Sequence, residues 1–133
     1  MPLRNLTLII GGIRSGKSEL AERLASEYGE RIAYLATGAA SDSEMQARIA
    51  EHRRRRISTW ITLEAPEGRL GAMLEPHMGG IHAVLLEDLG GLAAQAVLRQ
   101  PTIEKAHAVM EQEEHSFQSL IQAAKLPAME ICM

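Results

Sequence analysis

The sequence predicts a single α/β domain with helices packed around a mostly parallel sheet, and three observations predict it. Leu6-Thr7-Leu8-Ile9-Ile10 is a short, almost wholly apolar run stopped by Gly11-Gly12, which reads as a strand buried on both faces. From Lys17 the spacing turns helical, with Leu20, Ala21, Leu24, Ala25 and Tyr28 on one stripe and Gly29 as the expected C-cap. A second apolar run, Arg31-Ile32-Ala33-Tyr34-Leu35-Ala36, follows. Strand, helix and strand in that order form a right-handed crossover unit, the building block of parallel sheets.

The later segments extend the same alternation. Thr37-Gly38 closes the second strand at the same sheet edge as Gly11 if the two strands are parallel. Ser41 followed by Glu44 matches a capping box, so a helix is expected from about Asp42 to about Arg55, with Met45, Ile49, His52 and Arg56 on one face. Trp60-Ile61-Thr62-Leu63-Glu64 alternates weakly and reads as a short strand before Pro66. Ala83-Val84-Leu85-Leu86 is a buried-strand run ending in Glu87-Asp88. Leu89 to Leu98 and Thr102 to Lys125 read as helices broken at Pro101. The second carries Ile103, Ala106, Met110, Phe117, Leu120, Ile121 and Ala124 at three- and four-residue spacing, and Ala128 to Cys132 reads as a last strand.

Bulk properties narrow the function classes. A chain of 133 residues suits one domain, residues 1–133, burying roughly two thirds of its unfolded surface. The lone Cys132 has no partner for a disulfide or a cysteine metal site, which fits a reducing cytoplasm. No apolar stretch approaches the ~20 residues of a membrane span, and Met1 to Asn5 lead into a strand, so neither membrane insertion nor secretion is expected. A net charge of -3 and an aromatic content of 3% argue against a nucleic-acid partner. Arg53-Arg54-Arg55-Arg56 is the local exception, and by itself it reads as a solvated helix end complementing the helix dipole.

The chemistry-bearing motif is Gly11-Gly12-Ile13-Arg14-Ser15-Gly16-Lys17-Ser18, which satisfies G-x-x-x-x-G-K-[ST] between a strand and an amphipathic helix. Such a loop lets backbone N–H groups curl around an anion at a positive helix terminus, while the lysine reaches the terminal phosphates and Ser18 is placed to ligate Mg²⁺. A purine nucleotide is the expected ligand. An acid on a neighbouring strand must support the metal, and Glu87 is the candidate, with Asp88 the alternative pointing to the opposite face. The competing reading of that acid is a helix N-cap.

These residues resemble the bifunctional adenosylcobinamide kinase/adenosylcobinamide-phosphate guanylyltransferases. The likeness runs from the loop, with Arg14-Ser15 inside it, through Tyr34-Leu35-Ala36-Thr37, Glu44-Met45, Ala47-Arg48-Ile49 and His52, to Trp60, Thr62-Leu63-Glu64 and Leu85-Leu86-Glu87, collinear over roughly residues 6 to 90. The resemblance implies a P-loop NTPase, RecA-like three-layer fold and a place in cobalamin biosynthesis. It implies GTP, ATP and Mg²⁺ as ligands, adenosylcobinamide and its phosphate as substrates, and a homo-oligomer, a trimer in the family. His52 matches the histidine that carries the guanylyl group, although a lone histidine on a helix face otherwise reads as a boundary residue. Arg48 and Arg53 to Arg56 then become candidates for phosphate neutralisation, and Ala36, Thr37, Gly38 and Glu64 for nucleotide contacts. His77, His82, His107 and His115 match no family position and read as ordinary loop or helix residues. The family's strands beyond Pro127 are only begun here, so a form lacking the last strands is expected. The alternative function is a shortened paralogue or fragment that binds nucleotide without catalysis.

Overall fold

The computed structural model describes residues 6–12, 15–37, 47, 50, 59–65, 69–87 and 89–132. In chain order these form β1 (Leu6–Ile10), α1 (Lys17–Ser26), β2 (Ile32–Ala36), β3 (Ile61–Glu64), α2 (Leu70–Leu74), a 3₁₀ turn (Glu75–His77), β4 (Ala83–Glu87), α3 (Leu89–Arg99), α4 (Ile103–Ala123) and β5 (Ala128–Cys132). The five strands make one sheet in the order β1-β5-β4-β2-β3, and every neighbouring pair is parallel. The expected mostly parallel sheet is therefore wholly parallel among the described residues.

The two strands richest in uninterrupted apolar sequence take the middle. All five residues of β2 and all five of β4 are buried, and the two pair from Ile32↔Ala83 to Ala36↔Glu87. Strand alternation splits the core into two layers. On one face Ile32, Tyr34, Ala83, Leu85, Met129 and Ile131 pack with Ala21 and Ala25 of α1. On the other, Ala33, Leu35, Leu63, Val84, Leu86 and Ala128 meet Leu70, Leu74, Leu92, Phe117 and Ile121 from α2, α3 and α4. Phe117 is completely buried, and its truncation to alanine would cost about 3–5 kcal/mol.

Several expectations are corrected. β1 is not buried on both faces. It occupies the sheet edge beside β5, where Leu8 is 52% and Ile10 73% exposed while Ile9, facing α1, is buried. Helix α1 stops at Ser26 with Glu27 as its cap, before Gly29, and Leu20 and Tyr28 of the proposed stripe are exposed. In α4, Thr102 is the N-cap, its side chain accepting from the Lys105 N–H at 3.1 Å; Ala106, Phe117 and Ile121 are buried, but Ile103 is exposed. The helix expected from Asp42 to Arg55 lies outside the described residues except at 47 and 50, both helical. His82 is more than a loop residue. Its Nδ1 accepts from the Arg31 N–H at 3.2 Å and its own N–H donates to the Arg31 carbonyl at 2.7 Å, fastening the entry of β2 beside β4. No helix among the described residues is long and apolar enough to cross a membrane.

Candidate functional site

An all-parallel sheet gathers the C-terminal ends of its strands on one edge, and ligands of open α/β sheets bind there. β1, β2, β3 and β4 finish at Ile10, Ala36, Glu64 and Glu87, and the register aligns Ala36 with both Glu64 and Glu87. The glycine-rich loop leaves β1 at this edge and returns as the N-terminus of α1.

The loop backbone has conformations that its sequence permits. Gly16, the N-cap of α1, sits at φ 84, in the left-handed region that a glycine enters without steric cost, and no side chain caps the helix there. A helix N-terminus that opens from such a glycine carries a partial positive charge and presents backbone N–H groups, the features of an anion site. At Gly11 a Cβ atom would lie 2.6 Å from Ser15 Oγ, because the loop folds back over the end of β1. Lys17 is buried, and its Nζ donates to the Gly12 carbonyl at 2.9 Å, placing the ammonium against the loop's own backbone.

Glu87 lies at the centre of the arrangement and is only 2% exposed. Its Oε1 accepts from the Ser18 hydroxyl at 2.8 Å and its Oε2 from the Tyr34 hydroxyl at 2.5 Å. Its carbonyl accepts from the Thr37 N–H at 2.9 Å and from the Thr37 hydroxyl at 3.4 Å. A buried carboxylate needs such donors, since hydrogen bonds to an ionised acceptor offset lost hydration. The donor chemistry fits magnesium, which prefers hard oxygen ligands. Ser18 Oγ and Glu87 Oε1 are adjacent oxygens, and Ser18 can offer a lone pair while its proton stays on the acid.

The sequence-derived candidates that lie among the described residues gather at this edge. Gly11, Gly12, Ser15, Gly16, Lys17 and Ser18 form the described part of the loop, and Ala36, Thr37 and Glu87 end the adjoining central strands. Glu64 ends β3 at the same edge with an exposed side chain, one strand further from the loop than Ala36. Ile13, Arg14, Gly38, Arg48, His52, Arg53 to Arg56 and Asp88 lie outside the described residues. Tyr34 was not anticipated as a site residue. Its alternation with Ala36 puts it on the Glu87 side of the sheet, but the contact also requires β2 and β4 to be neighbours.

A second buried acid lies on the opposite face. Glu130 pairs in register with Leu8 and Leu86, under the layer that includes α4. Burial and the charge of Glu114 push its carboxyl up to about 7. Glu114 is itself raised by burial, partly countered by the Gln118 amide donating to it at 2.7 Å.

Comparison with known proteins adds a family. A family model described as cobinamide kinase / cobinamide phosphate guanyltransferase matches residues 7–132. The chain is 63% identical over 59 residues to the bifunctional adenosylcobalamin biosynthesis protein CobP of Pseudomonas aeruginosa, a match covering 44% of this chain and 34% of that one. It is 38% identical over 82 residues to the bifunctional adenosylcobalamin biosynthesis protein CobU of Escherichia coli, covering 62% of this chain and 44% of the relative. The CobU protein of Salmonella typhimurium is 37% identical over the same length. Each matched stretch spans less than half of the relative.

Proposed function

Because the chain belongs to the cobinamide kinase / cobinamide phosphate guanyltransferase family, we propose that it phosphorylates adenosylcobinamide and transfers GMP from GTP to the resulting adenosylcobinamide phosphate. The observation that carries this reading is the joining of the glycine-rich loop to the β4 acid, through the Ser18 hydroxyl on Glu87 at 2.8 Å. The loop and the acid come from distant parts of the sequence and meet at the C-terminal edge of the sheet, which supports the reading of a magnesium-nucleotide site.

In this reading the loop from Gly11 to Ser18 cradles the triphosphate, and Lys17 leaves the Gly12 carbonyl to bind the terminal phosphates. Magnesium, held by Ser18 and backed by Glu87, would supply charge neutralisation on the phosphate oxygens. Ala36, Thr37, Gly38 and Glu64 lie along the nucleotide, and Arg48 with Arg53 to Arg56 neutralises phosphate charge. In the kinase step the corrinoid's aminopropanol hydroxyl attacks the γ-phosphorus of ATP or GTP, and the nucleoside diphosphate leaves. In guanylyl transfer a neutral His52 nitrogen attacks the α-phosphorus of GTP; the P–N bond forms as the P–O bond to pyrophosphate breaks. A phosphate oxygen of adenosylcobinamide phosphate then takes the GMP, freeing the histidine and giving adenosylcobinamide-GDP. The protein would work in the cytoplasm as a homo-oligomer, with the trimer the family implies.

Incubation with GTP labelled at the α-phosphorus tests this. Label should survive denaturation, be acid-labile and alkali-stable, and vanish in His52→Asn. Added adenosylcobinamide phosphate should discharge it. A second reading, nucleotide binding without transfer, is favoured by one observation: among the described residues β1 is an edge strand, and its Leu8 and Ile10 side chains are exposed beside the loop. GTP binding with no covalent label would select that reading.

A further inference from the structure

We propose that Tyr34 is a positioning residue that sets the orientation of the Glu87 carboxylate toward Ser18 and a bound divalent cation, an inference that rests on the phosphate-site reading of the loop. Packing alone does not call for a tyrosine here. The ring is completely buried in the α1-side core with Ala21, Ala25, Leu85 and Met129, where phenylalanine would fill the same volume. A hydroxyl carried into such a place costs desolvation unless it is partnered. Its partner is Glu87 Oε2, which accepts from the hydroxyl at 2.5 Å.

The terminal torsion of a glutamate is broad and roughly two-fold, so its carboxylate swivels unless both oxygens are engaged. Here the two oxygens are held from different elements. Tyr34 on β2 takes Oε2, and Ser18 on α1 takes Oε1. The main chain of the acid is pinned by the residue that follows this strand, because the Thr37 N–H donates to the Glu87 carbonyl at 2.9 Å. β2 and the residue after it therefore grip Glu87 at both ends and leave Oε1 directed at the first turn of α1. An acid that supports a metal, directly or through water, loses least entropy on binding when it is held in this way beforehand. Tyr34 touches neither nucleotide nor cation in this scheme and acts only through Glu87.

The test is calorimetric titration of a non-hydrolysable GTP analogue into wild type, Tyr34→Phe, Glu87→Gln and the double variant, each with Mg²⁺ and with EDTA, after thermal melts establish folding. Tyr34→Phe should reduce the Mg²⁺-dependent gain in affinity roughly five- to tenfold and leave metal-free affinity unchanged. Glu87→Gln should remove the gain, and adding Tyr34→Phe to it should cause no further loss. An unchanged gain in Tyr34→Phe, an equal loss with and without metal, or a variant without a cooperative melt would each overturn the positioning role. If wild type binds the analogue with a Mg²⁺ gain that Tyr34→Phe retains, only this inference falls. If wild type binds neither form, the phosphate-site reading falls with it.

Discussion

The Ser18 hydroxyl donates to Glu87 Oε1 at 2.8 Å across 69 residues of chain, tying the first turn of α1 to the end of β4. Ser18→Ala deletes the proposed metal ligand and the hydroxyl that donates to the acid while leaving the loop backbone intact. Metal-free nucleotide affinity should persist, and the gain from Mg²⁺ should fall roughly tenfold or more. Parallel titrations in Mg²⁺ and EDTA read both quantities.

Gly16 and Gly12 should respond differently to the same substitution. Gly16 sits at φ 84, where a Cβ atom strains the backbone, so Gly16→Ala should cost roughly 1–2 kcal/mol and lower the melting temperature by several degrees. A Cβ at Gly12 would meet nothing within 4 Å, so Gly12→Ala should melt close to wild type. Equal melting temperatures for the two variants would contradict the described loop conformation.

The sequence made the strand-loop-helix unit legible because its signals are local: an apolar run, three motif glycines and a helical stripe. The same local signal misled at β1, where an apolar run suits a central strand and the uncovered edge equally. Helix α2 was missed for a different reason. Its N-cap, Arg69, is left-handed at φ 59 and offers no side-chain cap; instead Glu113 of α4 accepts the Arg69 and Leu70 N–H groups at 2.8 and 2.9 Å. A cap supplied from 44 residues away leaves no mark in the neighbouring sequence. Tyr34 was hidden likewise, since its bond to Glu87 depends on β2 and β4 being neighbours.

Stability should fall as pH rises from about 5 to about 8. The Glu130 carboxyl lies near 7 in the fold against an ordinary 4.5, so the folded chain holds a proton that the unfolded chain has released between those values. Its penalty is absent below the lower value and complete above the upper one, and the raised Glu114 acts in the same direction. Glu130→Gln should stabilise the protein at pH 8 by on the order of 2 kcal/mol and change little at pH 5. Melting curves across this range decide it; a wild-type profile that rises with pH would contradict the buried position of Glu130.

Ile10 is 73% exposed on the edge strand, where unpaired backbone groups and apolar side chains invite strand addition. Ile10→Lys should shift melting by less than the equivalent of about 0.5 kcal/mol while reducing concentration-dependent association. Sedimentation velocity over a concentration series distinguishes this from an Ile10 that is essential to the core.

Lys17 is the residue on which the proposed phosphate site depends most directly, buried with its Nζ 2.9 Å from the Gly12 carbonyl. The most direct measurement is equilibrium binding of GTP with Mg²⁺ to wild type and Lys17→Ala, both shown by their melts to be folded. Saturable binding by wild type, weakened roughly tenfold or more in Lys17→Ala, is the predicted result. Equal affinity in the two proteins, or no saturable binding by wild type, would contradict a nucleotide-phosphate site at Gly11 to Ser18.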